Sequence, residues 1–228
     1  MASYSTSEES KNNYVKCMGK DLGLKFFAIW QEVAWLHSEW QEYVDLYGTS
    51  ESRIELLNKA APTFFRIVQG LLWEGVILHI SRLTDKMRIA GRENLTIFCL
   101  PSLVNDENLK SKLNNLLDEI KKTTEFCRDW RNRRIAHRDL ELAIEKGINP
   151  LKPANRKLVK DALKVLVNFL NEITRHYKDS ETMFNIPSIQ GGESLLYVID
   201  NGLRADEERK NRFKSGDYSV NNSEPRKL

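Results

Sequence analysis

Only 11 glycines and 6 prolines interrupt 228 residues, and between them the apolar residues recur at three- and four-residue intervals rather than in alternation. That pattern leaves few places to turn and almost nothing for a half-buried strand. The chain is therefore expected to be all-α, an antiparallel bundle of four to five long helices. Leu24 to Tyr47 reads as the first, with Phe27, Trp30, Ala34, Val44 and Tyr47 near one face, Trp35 and Trp40 widening it, and Gly48 placed to close it. Glu51 to Arg82 reads as a second stretch broken at Pro62, which lacks the backbone donor a continuous helix needs. Its apolar residues from Phe64 to Leu83 cover more than one face, as in a helix surrounded by protein in a bundle centre or at a subunit interface.

A polar connection, Asp85 to Asn94, leads to a short segment capped by Asn94 or Thr96 and ended before Pro101. A third long helix is expected from about Asp106 toward Ile135 along Leu109, Leu113, Leu116, Leu117, Ile120 and Cys127. Asn149, Pro150 and Pro153 punctuate the next link, and Asn155 to Tyr177 repeats the pattern with Leu158, Ala162, Val165, Leu166, Phe169, Leu170 and Ile173. After Pro187 and Gly191-Gly192, Glu193 to about Phe213 forms a terminal helix, apolar at its start and charged toward its end. This divides the chain into a flexible segment over 1–20, one bundle over 21–213 and a disordered tail over 214–228, whose apolar content is too low to fold alone.

The hydrophobic fraction of 41% and charged fraction of 29% suit a soluble globular protein, with no apolar run near the ~20 residues of a membrane span. Met1 to Asn13 has neither the basic nor the apolar region of a secretory signal, so the expected compartment is cytoplasmic, with no membrane partner. Cys17, Cys99 and Cys127 are widely spaced and offer neither a disulfide framework nor a zinc site; Cys99 and Cys127 read as buried thiols. No metal or other cofactor is expected.

A net charge of +3, from 35 Lys and Arg against 32 Asp and Glu, is too small to mark the whole surface for nucleic acid. The positive charge is local. Arg128, Arg131, Arg133, Arg134 and Arg138 surround His137 where the third helix runs out. Arginine is a permanently charged fork that matches phosphate oxygens, and histidine exchanges protons near neutrality. Together they point to a phosphodiester. On a regular helix, however, Arg131 and His137 lie roughly 120° apart, and Arg133 and Arg134 share the histidine's face more closely. Convergence of Arg131 with His137 requires either that the helix unwinds near 135–139 or that a second subunit completes the site. The plainer alternative is a solvated face, its arginines paired with Glu125, Asp129 and Asp139, and a histidine capping a helix end.

The stretch Arg131-Asn132-Arg133-Arg134-Ile135-Ala136-His137 resembles the arginine, polar residue, spacer and histidine pattern of the HEPN superfamily of α-helical domains. Trp30-Gln31-Glu32-Val33, Leu57-Asn58-Lys59-Ala60, Ile80-Ser81-Arg82-Leu83-Thr84-Asp85 and Glu93-Asn94-Leu95-Thr96 resemble its abortive-infection AbiU-type branch, and the likeness runs from about Trp30 to Asp139. The resemblance implies a HEPN-like bundle and a metal-independent endoribonuclease acting in antiviral or toxin-like defence. It also implies a homodimer whose Arg/His pairs face each other, with RNA as substrate and an antitoxin or other regulatory protein as a possible partner. By position, Arg131, Asn132 and His137 would be catalytic. Arg82, Asp85, Arg128, Arg133, Arg134 and Arg138 would bind RNA or support the site, with Arg82 and Asp85 otherwise an ordinary i,i+3 ion pair.

In HEPN toxins silenced by a nucleotidyltransferase a tyrosine usually stands two positions after the histidine; Asp139 stands there instead, free to orient His137 or to pair with Arg138. His79 reads as a core or interface residue, and Trp130 as buried rather than stacked on a base. The alternative function is a non-catalytic HEPN scaffold that dimerises or binds nucleotide or RNA.

Overall fold

The computed structural model describes residues 6–144, 149–185 and 190–216. Its elements are α1 (Ser7–Met18), α2 (Lys20–Tyr47), α3 (Glu51–Ala60), α4 (Pro62–Leu83), a two-strand hairpin of β1 (Arg88–Ile89) and β2 (Arg92–Glu93), two 3₁₀ turns at Ile97–Cys99 and Pro101–Leu103, α5 (Glu107–Thr123) and α6 (Glu125–Trp130). A π-helical turn over Arg131–Ile135, α7 (Leu140–Ala143), α8 (Arg156–Lys178) and α9 (Gly192–Lys214) complete them. The fold is all-α, as the spacing of its apolar residues requires.

Two compact units divide the chain, one of Met1–Gln41 with Gly70–Pro187, the other of Glu42–Gln69 with Ser188–Leu228. In the first, α5 packs on α8. Leu109, Leu113 and Leu117 recur every four residues on α5, and Val159, Leu163, Leu166, Phe169, Leu170 and Ile173 form the matching stripe on α8; all are buried. Each such side chain contributes about 1.5–3 kcal/mol of transfer free energy. In the second unit α3 packs on α9, Leu57 and Leu196 are buried, and Arg53 joins the Asp45 carbonyl at 2.6 Å to the Glu193 carboxylate at 2.8 Å.

Three expectations need correction. Within the segment read as flexible at the N-terminus, Ser7–Met18 forms α1, because Thr6 and Glu9 make a capping box, Tyr14 packs its ring against Phe26, Phe27 and Trp30, and Met18 is also buried. The helix expected from Asp106 to Ile135 is not continuous. Thr124 separates α5 from α6; it is fully buried and its hydroxyl donates to the Ile120 carbonyl at 2.7 Å, a back-bond of the kind that bends helices. Finally, of the two settings expected for α4 the bundle centre does not hold over its first half, where Phe64, Ile67 and Leu71 are each more than half exposed in the single chain.

At 22 residues α4 has the length and apolar content of a membrane span, the one such helix among the described residues. Its C-terminal half is instead tied into the first unit by the ion pair of Glu74 with Arg134, by hydrogen bonds of His79 to Glu32 and Glu39, and by Val76, Ile77 and Ile80 in the core. The tail expected beyond Lys214 lies outside the described residues from 217 onward, as does Pro187.

Candidate active site at a π-helical turn

The distorted helix end is present. From Arg131 to Ile135 the backbone is π-helical, with Ala136 N–H donating to the Arg131 carbonyl at 2.8 Å five residues back, and past its end a wider turn follows in which Asp139 N–H donates to the Arg133 carbonyl at 3.0 Å. A π-turn winds more slowly than an α-helix, so the angular offset expected between Arg131 and His137 on a regular helix no longer holds. Such turns are frequent at functional sites because they re-aim side chains at some cost in backbone regularity.

The tertiary fold separates the five arginines by role. Arg128 donates to the Thr84 carbonyl at 3.3 Å and the Lys121 carbonyl at 2.8 Å, closing the C-terminal ends of α4 and α5 where unsatisfied carbonyls favour a cation. Arg131 is held on two sides, its Nη1 by the Asp85 carboxylate and its Nε by the Asn132 side-chain carbonyl at 3.0 Å. Its Nη2 has no partner among the described residues.

All three nitrogens of Arg133 are committed: Nε to Asp139 at 3.4 Å, Nη1 to Asp129 at 3.6 Å and the Pro150 carbonyl at 3.4 Å, and Nη2 to the Asn149 carbonyl at 2.5 Å. Arg134 pairs through Nε with Glu74 at 3.1 Å and lies 5.3 Å over the Trp130 ring. Arg138 is exposed and unpaired among the described residues. The helical wheel nominates Arg133 and Arg134; the hydrogen bonds spend Arg133 entirely and leave Arg131 a free donor.

His137 is exposed, with no hydrogen-bond partner among the described residues. Asp139 neither orients it nor pairs with Arg138. It caps α7 by accepting from Leu142 N–H at 3.0 Å, and that bond, with Arg133, holds its carboxyl below the usual carboxylate range. Trp130 donates to the Lys152 carbonyl at 2.9 Å and meets Trp73 edge to face, so it braces the turn rather than offering a free ring.

Arg131 and Asn132 line an open pocket of about 720 Å³ together with Thr84, Asp85, Lys86 and Met87 from the end of α4, Phe98 from the first 3₁₀ turn, and Lys121 and Arg128 from α5 and α6. His137 does not line it. Nor does Arg82, which turns away to Glu32 at 3.5 Å; it forms no ion pair with Asp85. Arg133, Arg134 and Arg138 border a separate cleft of about 250 Å³ with Glu74 and Asp139.

Asp85 is thus the supporting residue that meets the motif, while Lys86, Met87 and Phe98 escape a reading of the chain, and Thr96, read there as a helix cap, has a second task. Thr96 is fully buried and its hydroxyl donates to the carbonyls of Leu83 and Asp85, both at 2.9 Å. His79 is buried as expected, with an addition: Glu39 faces its Nδ1 at 3.1 Å and Glu32 its Nε2 at 3.0 Å. The seven-residue spacing of Glu32 and Glu39, which stacks them on one helix face, is the signal that could have found this pair. Among the described residues no group of three or more His, Cys, Asp or Glu is placed to hold a metal ion.

The sequence signature of the AbiU2 family of HEPN domains matches residues 19–192. The chain belongs to that family. No curated protein and no solved structure matches it. Membership in the AbiU2 HEPN family points to a HEPN-type function related to abortive infection. In this AbiU2 chain Arg131 and Asn132 open the π-helical segment, and His137 lies two residues beyond its last residue, Ile135.

Proposed function

We propose that this AbiU2-family chain is a metal-independent endoribonuclease with Arg131, Asn132 and His137 in its active site. The observation that carries the reading is the state of Arg131: fixed by Asp85 and Asn132, on a π-turn, at the wall of a cationic pocket, with one guanidinium nitrogen that has no partner among the described residues. A guanidinium oriented in advance toward a phosphate oxygen stabilises charge as it develops without having to reorganise.

In the proposed reaction the ribose 2′-hydroxyl attacks the adjacent phosphorus while a base takes its proton. The P–O5′ bond then breaks, and the departing 5′-oxygen takes up a proton, leaving a 2′,3′-cyclic phosphate and a 5′-hydroxyl. His137 serves as base or acid, and Arg131 holds a nonbridging oxygen. Restriction to RNA follows from the 2′-hydroxyl. Since Arg131 lines the pocket and His137 does not, the reading requires a homodimer in which the histidine of one copy approaches the arginine of the other. A defence role held in check by a protein partner completes it.

A second reading, a HEPN scaffold without catalysis, is favoured by one observation: Arg131 already has a carboxylate partner. The two separate in an assay with excess chelator, comparing wild type with His137→Ala and Arg131→Ala. Catalysis predicts cyclic-phosphate ends from wild type and at least a hundredfold loss in each variant, whereas the scaffold predicts intact RNA from all three.

A further inference from the structure

We infer that the pocket beside Arg131 receives a single unstacked nucleotide of an RNA strand, its base against Phe98 and Met87 and its phosphate toward Lys121 and Lys86. The inference rests on the ribonuclease reading and specifies how the substrate sits in that site. Its first support is the character of the walls. The lining is mostly apolar surface, yet four of its side chains are cations and its one carboxylate, Asp85, is engaged by Arg131. An apolar slot with an aromatic ring and a cationic rim is what a splayed-out base and its phosphate require. The volume, about 720 Å³, lies within the range of small-ligand sites and far below what a duplex needs.

The second support is rigidity. Phe98 lies in the 3₁₀ turn Ile97–Cys99, whose cap Thr96 accepts from Phe98 N–H while donating to the Asp85 carbonyl. Asp85 in turn holds Arg131. The ring and the proposed catalytic arginine are therefore fixed in one frame through Thr96 and Asp85, so a base on the ring sets the register of its phosphate at Arg131. The third support is the availability of charge. Lys121 stands 5.6 Å over the Phe98 ring and is restrained only by the exposed Asp118, and Lys86 is exposed with no side-chain partner among the described residues. Arg128 is spent on backbone carbonyls and shapes the wall instead.

The test uses the full chain carrying His137→Ala. It is titrated by fluorescence anisotropy with a labelled, uncleavable 2′-O-methyl hexaribonucleotide and competed with nucleoside 5′-monophosphates and with a decaglutamate peptide. Phe98→Ala should weaken hexamer binding about tenfold, the size of one lost base–aromatic stack. Phe98→Leu, which keeps apolar bulk and guards against misfolding, should do nearly the same. Lys121→Gln should weaken binding several-fold and reduce its salt dependence by about one phosphate contact.

Unchanged affinity in Phe98→Leu and Lys121→Gln overturns the inference, and so does competition by decaglutamate as strong as by RNA. Monophosphates binding as tightly as the hexamer overturn the assignment to a strand. The two readings fail separately. A wild type that cuts no RNA but binds the hexamer through Phe98 sinks the ribonuclease and keeps the pocket; one that cuts RNA equally well with Phe98→Leu does the reverse.

Discussion

Asp85→Asn separates what a carboxylate does for Arg131 from what the shape of the side chain does. Asp85 accepts from Lys86 N–H through Oδ1 at 2.9 Å and from Arg131 through Oδ2. Asparagine has one carbonyl oxygen, so it either keeps the first bond and turns its amide donor toward the guanidinium, or offers a neutral oxygen to the guanidinium and loses the first bond. A hydrogen bond between charged groups contributes about 1.5–3 kcal/mol. The two side chains retain 22% and 15% exposure, so solvent screening brings the expected loss to about 1–2 kcal/mol. For a chain of this size that is a fall of about 2–8 °C in melting temperature.

A double-mutant cycle with Arg131→Gln isolates the pair, and a coupling below about 0.3 kcal/mol refutes it as an interaction. The functional consequence is larger than the thermal one. Asp85 is a positioning residue, and an arginine displaced by about 1 Å costs on the order of a hundredfold in turnover. Because the pocket also loses its only negative charge, RNA affinity at low salt should hold or tighten while kcat falls at least tenfold. A variant with kcat within twofold of wild type would sink the positioning role whatever its melting temperature.

Gly23→Ala should detach α1: the added methyl would sit 2.6 Å from the Val15 Cα and 2.7 Å from the Tyr14 carbonyl oxygen, both backbone, costing about 2–3 kcal/mol. Early proteolytic release of the first 18 residues reports it, and a wild-type digestion pattern contradicts it. Ala90 and Gly91 have φ of 48° and 78° in the two-residue hairpin loop, so Ala90→Gly should relieve about 1 kcal/mol and slow exchange of the Asn94 amide several-fold. Equal exchange would show that alanine adopts the turn without strain. Burial lowers the pKa of His37, partly offset by its hydrogen bond to Asn185. The folded chain therefore binds its proton less readily than the unfolded one, and the stability it contributes is full above about pH 6.5 and lost as pH falls below that. His37→Gln should flatten the drop in melting temperature between pH 7 and 5, and an unchanged slope would exclude this histidine as its source.

The parts of the fold legible in the chain are those where one residue type has one local consequence. Pro62 breaks the second helical stretch, Asn155 caps α8, Thr96 caps the short turn before Pro101, and the leucine repeat of α5 marks its buried face. What the chain concealed depends on partners distant in sequence. Thr124 is ordinary by type, and its place at the break between α5 and α6 goes with a burial and a hydroxyl bond to the Ile120 carbonyl that only the packed chain supplies. Lys121 opens a stretch of basic residues that runs to Arg138, but nothing local distinguishes Phe98, at a pocket wall, from Phe126, buried in the core. The pairing of Asp85 with Arg131 spans 46 positions.

The arginine cluster carries the same division into the chemistry. Read along the chain, seven basic residues between Lys121 and Arg138 form a strong positive patch. In the fold, Asp85, Asp129, Asp139 and Glu74 neutralise Arg131, Arg133 and Arg134, and two helix ends absorb Arg128. The field that remains is weaker than the composition implies, so recognition must come from placement more than from total charge. Arg131 is suited to that because its two restraints leave Nη2 unused: it can take up a phosphate oxygen without releasing Asp85. Under the ribonuclease reading, the carboxylate that occupies one side of the arginine is what keeps it aimed.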